Sequence, residues 1–277
     1  MRKTVGGILL RHAVLFLFCL VAVVPILYVA TTSFKSISEI LSAPLATFFP
    51  AQATTEAYHH VWNDYPFLTY LKNSVVVVLT STVVAVVFST LAGYGFSRFS
   101  FRSKGVLMLF ILTTQMFPSV MLYVPYYKLL SVYKLTNTYT GLILVYVASV
   151  IPFCSWMMYG FFEAISRELD EAALIDGCGR LRTFLKIVMP LTLPGLISTT
   201  IYAFVQGWNE YMFAMIFTNA EAMKTLPVAI GQMSKSYKVM WNDLMAASLL
   251  ASVPLIVLFV FLQRYFISGM TSGAVKG

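Results

Sequence analysis

The chain has 277 residues, of which 59% are hydrophobic and only 11% are charged. Soluble globular domains carry about 25% charged residues, so the composition excludes that class and indicates an integral membrane protein. The net charge of +8 does not indicate nucleic acid as a partner, because the basic residues are spread along the chain. The three cysteines, Cys19, Cys154 and Cys178, have no metal-ligand spacing and predict no disulfide framework.

Six stretches without Asp, Glu, Lys or Arg are long enough for the roughly 20 residues that a membrane helix needs. The first resembles a signal peptide, but it is longer than an apolar signal core of about 7–15 residues and contains Pro25, which favours a retained helix. We therefore predict an all-α integral membrane protein with six transmembrane helices in a single domain. The predicted spans are about 12–34, 72–96, 105–125, 139–162, 195–217 and 244–264.

Basic residues determine the predicted orientation, because cytoplasmic loops of membrane proteins are enriched in Lys and Arg. With the N-terminus inside, the inner segments hold 12 basic residues and the outer segments 7, and all eight arginines lie inside. The sequence therefore predicts an N-in, C-in topology. The loop 163–194 is then cytoplasmic, and the segments 33–72 and 218–243 lie outside.

The loop 163–194 differs from the spans on either side because seven charged residues fall between Glu168 and Lys186. Residues 166–176 read as a short helix, with Ser166 as N-cap and acidic residues in the first turn, where the helix dipole favours them. Unpaired charges are costly in hydrocarbon, so this segment is expected to lie in water.

The second half of this loop is expected to turn back toward the membrane. Gly177 and Gly179 permit a sharp turn, because glycine accepts a positive φ. A second amphipathic helix begins near Arg180 and is expected to end at Pro190 and Pro194. We name residues 166–194 the bracket. Its two-helix pattern favours docking of a partner over the alternative of a plain interfacial loop.

Polar positions inside two predicted spans are candidates for a translocation path. Pro118 breaks the third span, and broken polar places in membrane helices often line such paths. An equally good alternative is that these polar groups tie helices together. Glu210 is the only acidic residue within a predicted span, and such carboxylates are often functional, although Glu210 could simply be solvated or hydrogen-bonded. The candidate pathway residues are Gln115, Gln206, Trp208, Asn209 and Glu210.

The sequence carries no recognised catalytic signature. The sequence has no G-x-x-x-x-G-K-[ST], H-E-x-x-H or G-x-S-x-G motif. Its histidines, His12, His59 and His60, do not lie deep in any predicted span. We therefore expect no catalytic residue, no metal site and no cofactor in this chain.

The bracket resembles the EAA loop of permease subunits in ABC importers. That loop has E-A-A, three residues, G, nine residues and then an apolar position, one residue and L-P; here 171–173, Gly177 and Pro190 stand at the matching positions. Met189 replaces the usual Leu before the proline, and Cys178 replaces the usual Ala after the glycine.

The resemblance extends along nearly the whole chain. AGYGFSR at 92–98, NTYTGLIL at 137–144, the patch 208–210, LPVAIGQ at 226–232 and GAVKG at 273–277 are similar to the carbohydrate-uptake branch, specifically the second permease of maltose-type systems. The resemblance implies a type I ABC importer permease that forms half of the pore for a sugar or oligosaccharide. In the maltose system the sugar is held mainly by the other permease.

The resemblance also implies partners and a location. They are a second permease subunit in a heterodimer, a dimer of ATP-binding subunits that binds ATP and Mg, and an extracytoplasmic sugar-binding protein that meets 218–243. The tail 265–277 would reach toward the ATPase, so ATP hydrolysis is expected in the partner and this chain is not itself an enzyme. The location implied is a bacterial or archaeal inner membrane.

The resemblance assigns the first helix of the bracket to coupling with the ATPase. Glu171 would contact basic or polar groups of the ATPase, Ala172 and Ala173 would form a close-packed face, and Gly177 would supply the turn. The implied ATPase-coupling residues are Asp170, Glu171, Ala172, Ala173, Asp176 and Gly177.

The main alternative is a self-sufficient ion-coupled secondary transporter. Such a protein predicts charged residues in several spans and usually an internal repeat, whereas this chain has one intramembrane carboxylate and no clear repeat. An intramembrane enzyme is disfavoured because no nucleophile–base pair or metal-ligand set is present.

Overall fold

A computed structural model describes residues 5–42, 47–234 and 239–272, which are helical for most of their length and contain no strand. The predicted all-α class is therefore confirmed for the described residues. In chain order the helices are α1 (Val5–Thr32), α2 (Ile37–Ser42), α3 (Glu56–Asn63), α4 (Phe67–Arg98), α5 (Lys104–Thr114), α6 (Ser119–Val132), α7 (Tyr139–Glu163), α8 (Glu168–Ile175), α9 (Arg180–Thr183), α10 (Met189–Leu191), α11 (Leu193–Trp208), α12 (Met212–Phe217), α13 (Leu226–Met233) and α14 (Trp241–Ser272), with a π-helical turn at Phe184–Val188 and a 3₁₀ turn at Glu221–Met223.

Four described helices, α1, α4, α7 and α14, are individually long and apolar enough to cross a membrane. Two further stretches pass the same test only as bent pairs. One joins α5 to α6 with a bend of 96°, and the other joins the stretch Arg180–Leu191 to α11 with a bend of 76°. Length and composition therefore allow between four and six spans among the described residues.

The third predicted span, 105–125, is broken where its proline indicated. α5 ends at Thr114 and α6 begins at Ser119. Pro118 has φ −57° and ψ 127°, which is not helical, so the chain turns at this residue. α6 then continues to Val132, past the predicted end of the span at 125. Pro125 lies inside this helix and does not end it.

The fifth predicted span, 195–217, is not one continuous helix. α11 begins at Leu193 and ends at Trp208, and α12 follows only after residues 209–211. The carboxylate of Glu210 accepts hydrogen bonds from the backbone N–H groups of Phe213 at 2.8 Å and Ala214 at 3.1 Å. This capping starts a new helix, and no proline in the sequence marks the break.

The described residues fall into two compact units. One comprises those up to Leu68 together with Ala229–Val253, and the other comprises Thr69–Val228 together with those from Pro254 onward. Within the first unit, His60 Nδ1 lies 3.3 Å from a carboxylate oxygen of the buried Asp243. This contact shows His60 in an ion-pairing position. No group of three metal-ligating side chains occurs in the parts of the chain that the structure describes.

In the second unit, α4 and α7 pack closely at one glycine. A Cβ atom added to Gly93 would lie 2.7 Å from Met158 Cβ and 2.7 Å from the backbone nitrogen of Tyr159, whereas one added to Gly95 would meet nothing within 4 Å. The close approach of the two helices therefore requires a glycine at position 93 and not at position 95. Elsewhere along these two helices, Ala85 and Val86 of α4 and Val150 and Cys154 of α7 form a buried core with Ala203 of α11.

Side chains of α4 and α7 also fix the segment that follows α12. The buried amide of Asn73 donates to the carbonyls of Ala222 at 2.9 Å and Lys224 at 2.8 Å. Tyr139 donates its hydroxyl hydrogen to Asn73 Oδ1 at 2.6 Å. The first part of the predicted outer segment 218–243 is thus held by hydrogen bonds to two long helices.

Candidate coupling and translocation sites

The first limb of the bracket is α8, whose eight residues include three acids in the first turn. Acids at this end are favoured by the helix dipole. The sequence placed the helix start at Ser166, but α8 begins at Glu168. Ser166 still accepts a hydrogen bond at its Oγ from the backbone N–H of Glu168, at 3.3 Å, so it supports the helix from just outside.

The turn after α8 depends on one glycine. Gly177 has φ +81°, a left-handed conformation that disfavours other residues. The backbone N–H groups of Gly177 and Cys178 donate to the carbonyls of Leu174 and Ala173, which closes the helix end. Gly179 has φ −70° and ψ 156°, so the expectation that it also needs a positive φ is wrong.

The second limb of the bracket is an irregular helix. α9 passes into the π-helical turn Phe184–Val188 and then into α10. Pro190 was expected to end this limb, but the helix continues to Leu191. The missing N–H of Pro190 and its ring disturb the helical turn just before it, which is where the wider π turn lies. The bend toward α11 comes at Thr192.

The predicted coupling residues divide between two sides of the bracket. Glu171, Ala172, Asp176 and Gly177 are exposed. Ala173 is only 3% exposed and is packed inside the chain, so it does not share an outer face with Ala172. The outer surface carries two apolar side chains that the sequence did not single out, Leu174 at 47% and Ile175 at 87% exposure. These two residues could have been found from the sequence, because they are neighbouring apolar residues that follow an acidic helical turn.

Asp170 also faces the chain's own helices. Its Oδ2 lies 3.0 Å from Nε of Arg98, the last residue of α4. The Arg98 side chain is 7% exposed and the Asp170 side chain 16%. Tyr94 Oη lies 3.5 Å from the other carboxylate oxygen of Asp170. We name the Arg98–Asp170 pair the clamp.

Aromatic and apolar side chains support the bracket from the membrane side. The Tyr94 ring centroid lies 4.5 Å from that of Phe184 and 5.5 Å from that of Phe162. Phe162 and Phe184 are buried with Met158 and Val188 in one cluster. The second limb is therefore anchored by packing, whereas the first limb is held by the clamp together with the buried Ala173.

A second candidate site is a cavity of about 400 Å³ in the same compact unit. It brings together four of the five predicted pathway residues, Gln115, Gln206, Asn209 and Glu210. Gln115 Nε2 also donates to the carbonyl of Ser149 at 3.4 Å. We name this space the polar cavity. Its volume falls within the roughly 300–1,000 Å³ range of small-molecule pockets.

Trp208, the fifth pathway candidate, does not line the polar cavity. It is buried, and its ring stacks on Phe204 with centroids 5.4 Å apart. Sequence reasoning missed Tyr123 and Tyr202, which contribute to the cavity wall. The spacing of Tyr202 and Gln206 places them on one face of α11, and this was the available signal.

The fold places these sites in a recognisable class. The structure matches a chain from a bacterial ABC transporter involved in import of the acidic polysaccharide alginate, with a TM-score of 0.81, 23% identity, and coverage of 96% of this chain and 99% of that chain. The chain therefore has the fold of a type I ABC importer permease.

Sequence comparison defines the family. A model described as binding-protein-dependent transport system inner membrane component matches residues 85–272. The trehalose/maltose transport system permease protein MalG of Thermococcus litoralis is 34% identical over 264 residues, covering 94% of this chain and 94% of that protein. The sulfoquinovosyl glycerol transport system permease protein SmoH of Agrobacterium fabrum is 35% identical over 253 residues, with 91% and 88% coverage.

The chain belongs to the family of inner membrane components of binding-protein-dependent transport systems. The family predicted from the bracket is thereby confirmed. The protein is a membrane-embedded permease subunit of an ABC transport system.

Proposed function

We propose that this permease forms half of the translocation pore of an ATP-driven importer for a sugar or oligosaccharide. The observation that carries the proposal is the bracket, which exposes Ile175 and Leu174 on a short helix held by a largely buried ion pair. An exposed apolar tip with acidic neighbours suits docking into a partner. The sugar class is supported by the trehalose/maltose and sulfoquinovosyl glycerol systems named for the two relatives.

The proposed topology has six spans with both termini inside. Four continuous helices and two bent pairs are compatible with six crossings. The excess of basic residues, with all eight arginines on one side, supports the N-in, C-in orientation. The bracket then faces the cytoplasm, where ATP is available.

The proposed translocation path runs along the polar cavity. Gln115, Gln206 and Asn209 offer amide donors and acceptors to sugar hydroxyls, and aromatic rings such as Tyr202 offer apolar faces to sugar rings. Glu210 helps to shape the path by capping α12. Trp208 supports the wall from behind through its stacking on Phe204.

The proposed assembly contains a second permease, two ATP-binding subunits that hold ATP and Mg, and an extracytoplasmic binding protein. The family description, binding-protein-dependent transport, supports the last of these. We assign 218–243 to contact with the binding protein and the tail 265–277 to contact with the ATPase. Residues 235–238 and 273–277 of these segments lie outside the described residues.

Reconstitution into proteoliposomes tests the proposal. The complete set of subunits with binding protein, sugar and ATP is expected to accumulate sugar, and omission of ATP or of the ATPase is expected to abolish uptake. The same vesicles carrying this chain alone, with an imposed proton or sodium gradient, test the alternative. Uphill sugar uptake by the chain alone under an ion gradient would establish the secondary transporter and reject the importer.

A further inference from the structure

Arg98 occupies an unusual position for a charged residue. It ends α4, its side chain is 7% exposed, and it lies where three helix ends meet. Besides Asp170, its guanidinium donates to the carbonyls of Phe162 at 2.9 Å and Ile165 at 3.1 Å, and to Ser97 Oγ at 3.1 Å. One side chain thus joins α4, the C-terminal end of α7 and α8.

The positive charge of Arg98 is compensated by the groups around it. A carboxylate supplies one full negative charge, and the carbonyls at the end of α7 supply the negative end of that helix dipole. Arginine suits this position because its planar fork presents several donors at fixed angles, which a lysine ammonium does not. The neighbouring Arg167 adds a parallel tie, donating to the carbonyl of Ser97 at 2.6 Å.

Stability alone is a poor explanation for a buried ion pair. Well-packed apolar side chains often give equal or greater stability, because burying two charges requires their desolvation. What the pair supplies is a fixed direction and distance between the elements it joins. α8 depends on such tertiary contacts, because a helix of eight residues is too short to be stable by itself in water.

The other connections of α8 are less rigid. On one side the chain turns at Gly177, and on the other it runs through residues 164–167 before reaching α7. Arg98 fastens this second connection as well, through the carbonyl of Ile165. A push on the exposed tip of α8 would otherwise be absorbed by rotation of the helix about its two ends.

We propose that the clamp is the link that makes α8, α4 and α7 move together when a partner displaces α8. Arg98 and Asp170 are thus positioning residues for coupling, and Asp170 acts inside the chain instead of contacting the ATPase. The inference rests on the proposed function, since it assumes that an ATPase displaces α8.

The test uses the complete transporter in proteoliposomes and separates docking from transmission. Two quantities are measured, the amount of ATPase subunit that co-purifies with the permease and the number of sugar molecules imported per ATP hydrolysed. In Asp170→Asn we expect co-purification within about twofold of the wild type. Sugar imported per ATP should fall at least about fivefold, a size typical of directly coupled residues.

A double variant distinguishes transmission from stability. Arg98→Gln with Asp170→Asn leaves no unpaired buried charge, so its folding is expected to recover relative to either single variant. Its coupling should stay low, because the fixed link is still missing. If the double variant folds poorly, Arg98→Lys tests the geometry instead. It keeps a positive charge beside Asp170 but loses the fork that also binds the carbonyls of Phe162 and Ile165, so sugar imported per ATP should still fall.

Glu163→Gln is the matched control. It removes a carboxylate that lies 3.4 Å from Arg167 near the same helix ends but is more exposed than Asp170. This variant should couple normally. Normal sugar import per ATP in the folded double variant, or loss of ATPase co-purification in Asp170→Asn, would contradict the proposed role of the clamp. Neither result would contradict the proposed importer function. A wild-type assembly that imports no sugar with ATP would instead reject the proposed function itself.

Discussion

The bracket and the polar cavity use charged and polar side chains in opposite ways. At the bracket, the charges of Arg98 and Asp170 are largely buried against each other and against helix ends, while the apolar side chain of Ile175 is exposed. At the polar cavity, the Glu210 carboxylate accepts hydrogen bonds from backbone N–H groups. The side chains of Gln206 and Asn209 line the void, and Asn209 Nδ2 also donates to the carbonyl of Val205 at 2.9 Å. The contacts at the bracket therefore fix the relative positions of its helices, whereas the polar groups at the cavity remain accessible to a hydrated solute.

The largest effect is expected from the turn of the bracket. Gly177→Val places a β-branched residue at φ +81°, where a non-glycine residue costs about 1–3 kcal/mol. We expect displacement of α8 and at least about a tenfold fall in ATPase co-purification, equivalent to about 1.4 kcal/mol. Gly179→Ala is the control, because its φ of −70° suits any residue and a Cβ there meets nothing within 4 Å. Equal co-purification of the two variants would show that the turn geometry does not matter for docking.

A smaller effect is expected where α4 meets α7 beneath the bracket. Gly93→Ala forces a Cβ to within 2.7 Å of α7, so overpacking should lower the free energy of unfolding by about 1–3 kcal/mol. Gly95→Ala, two residues later, meets open space and should be neutral or slightly stabilising. Thermal unfolding of the purified variants measures the difference, and equal midpoints would contradict the rigid packing inferred for this region.

The polar cavity should respond differently. Gln206→Ala removes an amide without filling the cavity, so sugar transport should show a KM raised about two- to tenfold, as expected from one neutral hydrogen bond of about 0.5–1.5 kcal/mol. ATPase co-purification should not change. Gln263→Ala, an amide on α14 that does not line the cavity, controls for loss of a glutamine. A Gln206→Ala variant that lost ATPase binding would remove the functional distinction between the two regions.

The smallest effect is expected from the carboxylate of Glu221, which does not line the polar cavity. Hydrogen bonds from Lys224 and Tyr70 hold the pKa of Glu221 below its ordinary value. Because the pKa is lower in the folded state, this contribution to stability is present above the unfolded pKa and is lost as the pH falls through the folded pKa. The wild type should therefore lose slightly more thermal stability than Glu221→Gln when the pH is lowered from 7 to about 3.5. Parallel losses in the two proteins would show that Glu221 contributes nothing.

Local features could be predicted from the sequence, whereas long-range pairings could not. Gly177 and Pro118 act on their own backbone, so their turn and break were predictable from residue type. Asp170 is 72 positions from Arg98 in the chain, so its inward direction depends on how α4 and α7 pack. The break at 209–211 was missed for a similar reason, because Glu210 caps α12 with its side chain and no proline marks the place.

The buried positions of Ala173 and Trp208 also could not be predicted from the sequence. A helix as short as α8 has apolar residues on more than one face, and only the packed structure distinguishes inward Ala173 from outward Ile175. Trp208 lies between two polar cavity residues in sequence, but the helical rotation of α11 carries its ring to the opposite side.

The most direct measurement is site-specific photo-crosslinking from the tip of the bracket. A benzoylphenylalanine at Ile175, the most exposed apolar side chain of α8, is introduced into the complete transporter and compared with one at Leu144, an exposed position on α7. Docking of the bracket predicts a covalent product with the ATP-binding subunit from position 175 and none from position 144. Absence of that product in an assembly that still imports sugar, or a product with the extracytoplasmic binding protein, would contradict it.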